Sequence, residues 1–245
     1  MLSTENLYVE YLNWDSQLYN KRICKITKDK LNEVQLKHCL EWAESNNIDC
    51  VYYLIDSSDI TYVKIAERNG FNFVDFRLTL SNQIKCNNLI KSKITLPHLI
   101  REAQSVDLLK IKALARLDHI ESRFFKDSNF DKNISEKLFE LWIDRNVRSE
   151  SSVILICKIE SEIAGYIAIN YENNIGVIEL IGVDPKFRGK GIGVNLILAS
   201  IDWFKNKNVD SVNVVTQGTN IPALRMYIKS GFYPIQSKSW YHLWI

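Results

Sequence analysis

Val183-Asp-Pro-Lys-Phe-Arg188-Gly189-Lys190-Gly191-Ile192-Gly193 is the stretch whose reading decides the fold. Before it, Ile175–Val183 is an apolar, β-branched run that reads as a strand. After it, Val194, Ile197, Leu198, Ile201 and Phe204 recur at helical spacing, so Gly191–Asn206 reads as an amphipathic helix. A strand that gives way to a helix through three alternating glycines brings bare backbone to the helix's first turn. The first helical N–H groups have no partner inside the helix, and the aligned peptide dipoles leave partial positive charge there. Such a turn is an anion site suited to phosphate, and Arg188 and Lys190 add full charges. The spacing is neither that of a Walker A loop, which ends in Gly-Lys-Ser/Thr, nor the Gly-x-Gly-x-x-Gly of dinucleotide-binding folds. A glycine-rich connection with two solvated basic residues is the bland alternative.

Working outward, Val212–Thr216 reads as a β-branched strand and Asn220–Ser230 as a short helix. Asn220 is its N-cap, Pro222 sits in the first turn, and Gly231 stands where a helix-ending glycine belongs. Asn220 and Tyr227 are seven residues apart, two helical turns, and so share a face. Tyr227 is either a core aromatic or a proton donor. Upstream, Val153–Lys158 and Tyr166–Asn170 form a hairpin pattern joined through Glu160–Glu162. Ser135–Val147 reads as a helix with Leu138, Leu141 and Trp142 on one face. Residues 121–134 read as a loop, Asp107 opens a helix, and Leu99–Ala103 is a short strand. Glu179 interrupts the apolar strand, and its parity places it with Ile181 and Val183. It is a candidate proton acceptor or a salt-bridged residue.

The chain has 245 residues. Residues 1–80 carry mixed strand and helix patterns, 81–97 are polar and Asn/Lys-rich and read as a linker, and 98–245 form the second α/β unit. A faint repeat links the two. At an offset of 161 residues (231 minus 70), Val51 falls on Val212, Ile60 on Ile221, Lys64 on Arg225 and Gly70-Phe71 on Gly231-Phe232. Ala66 stands where Tyr227 falls, and nothing in the first half matches the Arg188–Gly193 loop.

A net charge of +2 gives no reason to expect nucleic acid or an anionic membrane as partner. No apolar run reaches the length of a membrane span, and the first residues lack a signal-peptide pattern, so a cytoplasmic location is expected. Five scattered cysteines without a C-x-x-C pair suit a reducing compartment, and four distant histidines give no metal site.

With these residues in hand, the second half resembles the Gcn5-related N-acetyltransferase (GNAT) family. Its pyrophosphate motif, Arg/Gln-x-x-Gly-x-Gly/Ala, is matched by Arg188, Gly191 and Gly193, behind the lead-in Gly182-Val183-Asp184-Pro185. The resemblance covers about residues 99–245. It implies a mixed α/β fold, with a smaller partial GNAT-like unit in front, and acetyl-CoA as co-substrate without a metal. It implies that the strand ending at Val183 splays from its neighbour, so that the Ile181 and Val183 backbone binds the pantetheine arm. Arg188, Gly189, Lys190, Gly191, Ile192 and Gly193 would cradle the pyrophosphate, Asn220 would contact the cofactor, and Tyr227 would sit near its sulfur. A phenol of pKa about 10 can protonate a departing thiolate.

A narrower resemblance spans nearly the whole chain. Trp14-Asp15-Ser16-x-x-Tyr19, Ser122-Arg123-Phe124, Val215–Asn220 and Tyr227-Ile228-x-Ser230-Gly231 look like the dTDP-fucosamine acetyltransferase group. That implies a small-molecule acceptor, the amine of a nucleotide-linked deoxy-amino sugar, and surface polysaccharide biosynthesis. Arg123 would then pair with substrate phosphate. A homodimer is an expectation resting on this resemblance alone. Tyr19 replaces an expected Phe, and Glu179 has no firm counterpart there. The competing readings are a protein or peptide N-acetyltransferase, against which the lack of an acidic cluster counts, and a non-catalytic acyl-CoA sensor, which would not need Tyr227.

Overall fold

The computed structural model describes residues 8–85, 95–96, 99–118 and 121–245. Its strands are β1 (Val9–Tyr11), β2 (Ile23–Ile26), β3 (Cys50–Asp56), β4 (Asn72–Gln83), β5 (Ile100–Glu102), β6 (Ser152–Ile159), β7 (Glu162–Glu172), β8 (Ile175–Val183), β9 (Ser211–Gln217) and β10 (Tyr233–Trp244). Its helices are α1 (Asn13–Tyr19), α2 (Glu33–Ser45), α3 (Ile60–Arg68), α4 (Leu108–Asp118), α5 (Arg123–Lys126), α6 (Lys132–Arg148), α7 (Ile192–Asn206) and α8 (Ile221–Lys229). Strand β4 reaches three residues into the stretch read as a linker, of which 86–94 and 97 lie outside the described residues. The expected loop 121–134 instead holds α5 and the start of α6.

Two compact units result, and neither is one continuous stretch. The first comprises residues 1–77, 122–134 and 236–245, the second 78–121 and 135–235. In the first, strands run in the order β1-β2-β3-β10. The C-terminal strand belongs there because Lys238–Trp244 pairs antiparallel with Asp56–Cys50. A capping box at Asn32 and Gln35 starts α2, which packs Leu36, Cys39 and Ala43 into the core beside Tyr53.

In the second unit the order is β4-β9-β8-β7-β6-β5, a mixed sheet antiparallel from β5 to β8 and parallel between β8 and β9. The hairpin turns follow the sequence: Glu160, Asn173 and Asn174 all take positive φ. Helix α7 packs Ile192, Leu196, Ile197, Ile201 and Phe204 onto one face. Each such side chain contributes about 1.5–3 kcal/mol when buried. On α6 the buried residues are Leu138, Phe139 and Ile143, while Leu141 is exposed, so the apolar face lies one step round from that read in the sequence.

The faint repeat has a structural counterpart. β3, α3 and β4 have the bounds of β9, α8 and β10 shifted by 161 residues. Gly70 and Gly231 take φ of +84° and +86°. Phe71 N–H donates to the Ala66 carbonyl at 3.1 Å, and Phe232 N–H to that of Tyr227 at 3.0 Å. Left-handed backbone costs a non-glycine residue about 1–2 kcal/mol. Gly70→Ala and Gly231→Ala should each lower stability by about that amount. The readout is a lower denaturant midpoint at unchanged slope.

Candidate active site

The site is organised by one extra residue in β8. Between β7 and β8, Ile169 pairs with Ile178 but Ala168 with Leu180, leaving Glu179 as a β-bulge. The bulge reverses the parity of the strand. Ile178 before it and Ile181 and Val183 after it all pack toward α7, while Gly182 lies among α4 and β7 side chains. Glu179 therefore does not share a face with Ile181 and Val183, as simple alternation requires. It turns to α6, accepting from Asn146 Nδ2 at 2.6 Å and Arg145 Nη2 at 3.2 Å. The bulge also marks the point where β8 and β9 part. Their parallel ladder runs from Ile175–Ser211 to Ile178–Val214 and stops. Beyond it β8 and β9 do not pair, which leaves a gap at Ile181–Val183, where the Val183 carbonyl accepts from Arg188.

At the end of β8 the chain turns through Pro185–Phe187, which Asp184 caps by accepting from Lys186 N–H at 3.0 Å. Gly189 and Gly191 take φ of +78° and +76°. A side chain at Gly189 would meet nothing within 4 Å, and one at Gly191 only Asn195 Nδ2 at 3.6 Å. Gly191 is the N-cap of α7 and supplies no side-chain cap, so the first-turn N–H groups are available to an anion. This geometry fits a pyrophosphate. Gly193 serves packing instead: a side chain there would overlap Met226 Sδ of α8. Ile192 is buried in the core, and Lys190 lies over the Phe187 ring at 5.1 Å. Arg188 folds back on the strand end, donating from Nε to the Val183 carbonyl at 3.1 Å and from Nη2 to Asp118 Oδ1 at 2.7 Å.

On α8, Asn220 caps the helix by accepting from Ala223 N–H at 3.2 Å. Tyr227 is buried, 5.8 Å from the Phe232 ring, and burial pushes its phenol well up, so it stays protonated throughout the neutral range. The sequence reading missed Asp118, at the C-terminus of α4. Its side chain is 6% exposed, and its Oδ2 is buried without a hydrogen-bond partner. Gly182, a glycine inside a strand, is the signal that marks it: a side chain at Gly182 would overlap Asp118 Oδ2 and stand 2.5 Å from Tyr166 Cε1.

Arg123 lies in the first unit. Its guanidinium sits 4.1–4.3 Å from the ring centroids of Tyr52, Phe124 and Trp240. It donates from Nη1 to His242 Nε2 at 2.8 Å, and Asp15 is 4.0 Å away. Burial, reinforced by Arg123, lowers His242 to about 4, so the ring is neutral and accepts. Its Nδ1–H donates to Asp127 at 2.6 Å. Among the described residues, no group of three or more His, Cys, Asp or Glu side chains stands close enough to hold a metal ion, and no helix is long and apolar enough to cross a membrane.

Comparison with known proteins agrees with this geometry. The model of the acetyltransferase (GNAT) family matches residues 114–232. Streptothricin acetyltransferase of Escherichia coli is 30% identical over 124 residues, 46% of this chain and 71% of that protein. The chain belongs to the GNAT family of N-acetyltransferases, enzymes that use acetyl-CoA. The spore coat polysaccharide biosynthesis protein SpsD of Bacillus subtilis is 29% identical over 138 residues, 56% of this chain but only 48% of its own length. The dTDP-fucosamine acetyltransferase of E. coli O6:H1 is 24% identical over 182 residues, covering 72% and 74%. Among solved structures, a GNAT protein from Sphaerobacter thermophilus matches with TM-score 0.70 at 14% identity, covering 96% of this chain and 76% of its own. A tandem GNAT protein from the clavulanic acid biosynthesis pathway matches at 0.61 and 12%, covering 91% and 75%. These two bear on the fold, which is the mixed α/β GNAT fold with an N-terminal α/β region.

A substitution at Gly191 tests the loop. Gly191→Val forces a β-branched residue to positive φ and directs its methyls into the open space before α7. The folded variant should lose measurable acetyl-CoA binding by calorimetry, and wild-type affinity would contradict a phosphate at that turn.

Proposed function

We propose that the chain transfers acetyl from acetyl-CoA to the amine of a nucleotide-linked deoxy-amino sugar. The observation that carries this is the span of similarity to dTDP-fucosamine acetyltransferase, 182 residues, well beyond the 114–232 match to the acetyltransferase family. Similarity to SpsD, a spore coat polysaccharide biosynthesis protein, points the same way. Two of the four motif fragments behind the narrower resemblance meet in the first unit: Tyr19 stacks on Phe124 at 5.7 Å and Asp15 lies beside Arg123. Arg123 is the residue we assign to substrate phosphate.

In this reading the first turn of α7, with Arg188–Gly193, holds the pyrophosphate, and Asn220 supports the cofactor. The Ile181 and Val183 backbone holds the pantetheine arm in the gap beside β8. The acceptor's amine attacks the thioester carbonyl, and Tyr227 gives its proton to the departing thiolate. A carboxylate takes the amine's proton; Glu179 is the one read from the sequence, and Asp118 is a second. The enzyme works in the cytoplasm, as a homodimer.

Two measurements test this reading. Free-thiol release is followed with dTDP-linked 4-amino-4,6-dideoxyhexoses and, in parallel, a lysine peptide. Turnover of the peptide but not the sugars would transfer the assignment to protein acetylation, and light scattering on the same sample checks the dimer. With the productive amine, Tyr227→Phe should slow the single-turnover step by about 10²–10⁴ with little change in acetyl-CoA affinity. Retention of more than about a third of the rate would assign the proton to another donor.

A further inference from the structure

We propose that Asp118 is the general base, its free Oδ2 receiving the proton of the acceptor's ammonium group at the gap beside β8. The assignment rests on the N-acetyltransferase reading above and names a residue that this reading leaves open. Three observations carry it.

The first is the unused oxygen. Asp118 Oδ1 accepts from Arg188 Nη2 at 2.7 Å, but Oδ2 is buried and accepts nothing. A buried carboxylate oxygen without a donor is costly unless a ligand supplies one. An ammonium group is such a donor. The second is position. Oδ2 presses on Gly182, the residue between Ile181 and Val183, whose backbone borders the gap. Any side chain on Gly182 would displace the carboxylate, so glycine there makes room for Oδ2 against the strand backbone. The third is contrast with Glu179: each carboxylate has one oxygen engaged, Oε2 of Glu179 by Asn146 and Arg145, but the Glu179 side chain is 18% exposed against 6% for Asp118 and turns to α6.

Among the described residues, four charged or titratable groups bear on Asp118 or on its neighbour Asp184. Arg188 comes from the loop, Asp184 from the end of β8 with Lys110 3.6 Å from it, and Tyr166 from β7. Burial raises the Asp118 carboxyl to about 6, with help from Asp184, against the pull of Arg188 and the Val183 N–H. A base in that range still ionises at neutral pH, yet accepts a proton from an ammonium far more readily than an ordinary aspartate.

Asp118 Oδ2 takes one proton from the acceptor ammonium, freeing the nitrogen lone pair. A C–N bond forms at the acetyl carbonyl and the C–S bond breaks. Tyr227 protonates the sulfur, and the remaining amine proton leaves to water, from which Tyr227 is reprotonated. Asp118 then releases its own proton, so each turnover yields an amide, a thiol and one proton.

The test is Asp118→Asn, which keeps an oxygen to accept from Arg188. Wild-type kcat/KM should rise with pH through a limb near 6. The variant should lose that limb and about 10²–10⁴ in rate at pH 7, with acetyl-CoA affinity within about threefold by calorimetry. An unchanged rate, or a limb that persists, overturns the proposal. So does a joint loss of rate and cofactor affinity matching Arg188→Gln, which would make Asp118 a positioning residue for the loop. Carbon-13 NMR of the acetyl-CoA-bound protein decides the matter without turnover. A carboxyl titrating near pH 6 and absent from Asp118→Asn supports the base, and its absence counts against it. A protein active on the lysine peptide but not on the sugars refutes the sugar reading while leaving this test in force.

Discussion

The bulge at Glu179 is the constraint on which the second unit's chemistry depends. In an uninterrupted strand, alternate residues face opposite sides, and a parallel neighbour pairs along the full length. Adding one residue breaks both rules at one point. The ladder to β9 ends at Ile178–Val214, so the backbone beyond no longer pairs with β9. The faces also exchange, so the residues packed on α7 change from even to odd numbers. Without the exchange, Gly182 would lie under α7 and a β-branched residue would stand against Asp118. The cost of the bulge is offset locally: Glu179, the displaced residue, is fixed by two donors from α6. The carboxylate that looks catalytic in the sequence is held where it supports the strand's deformation.

Much of this was legible in the sequence because it depends on local chemistry. Glycine spacing fixed the reading of the 188–193 turn, and apolar periodicity fixed α7. Asparagine before proline marked the cap of α8, which Asn220 supplies. What was hidden depends on register and on distant packing. A bulge changes no residue type, so strict alternation put Glu179 on the wrong face. Asp118 ends a helix that reads as an ordinary amphipathic segment, and only its approach to Gly182 distinguishes it. Likewise nothing local in Gln236–Ile245 says that it pairs with a strand near residue 50. Strand partners at that separation are chosen by the whole fold.

Arg188 illustrates how a motif residue divides its work. The family motif suggests a cation for phosphate, yet the side chain is engaged inward, with the Val183 carbonyl and with Asp118. Exposed ion pairs contribute little, but here the carboxylate is almost wholly buried while the guanidinium reaches solvent. The pair does two things. It ties the loop to the end of β8, and it occupies one oxygen of Asp118 while the other lies buried against Gly182. Under the proposed function, anion binding falls to backbone donors, which carry no side-chain entropy and are already oriented by the helix.

The other arginine of interest is held in the opposite way. Arg123 is 13% exposed, and among the described residues its ion-pair partner is Asp15, at 4.0 Å. Its contacts are three aromatic faces and a neutral imidazole. Rings and an imidazole lone pair stabilise a guanidinium without cancelling its charge. Asp127 makes this arrangement possible. Burial would raise its carboxyl, but the donors His242 and Trp244 override this and hold it at about 2. It therefore stays ionised, keeps the imidazole proton on Nδ1 and leaves Nε2 to accept from Arg123. A cation prepared in this way retains its full attraction for a phosphate, whereas one already paired with a carboxylate would have to exchange partners first. The same network in which Tyr19, Phe124 and Phe130 pack thus gives the first unit a positive charge fixed among rings, with Asp15 at 4.0 Å.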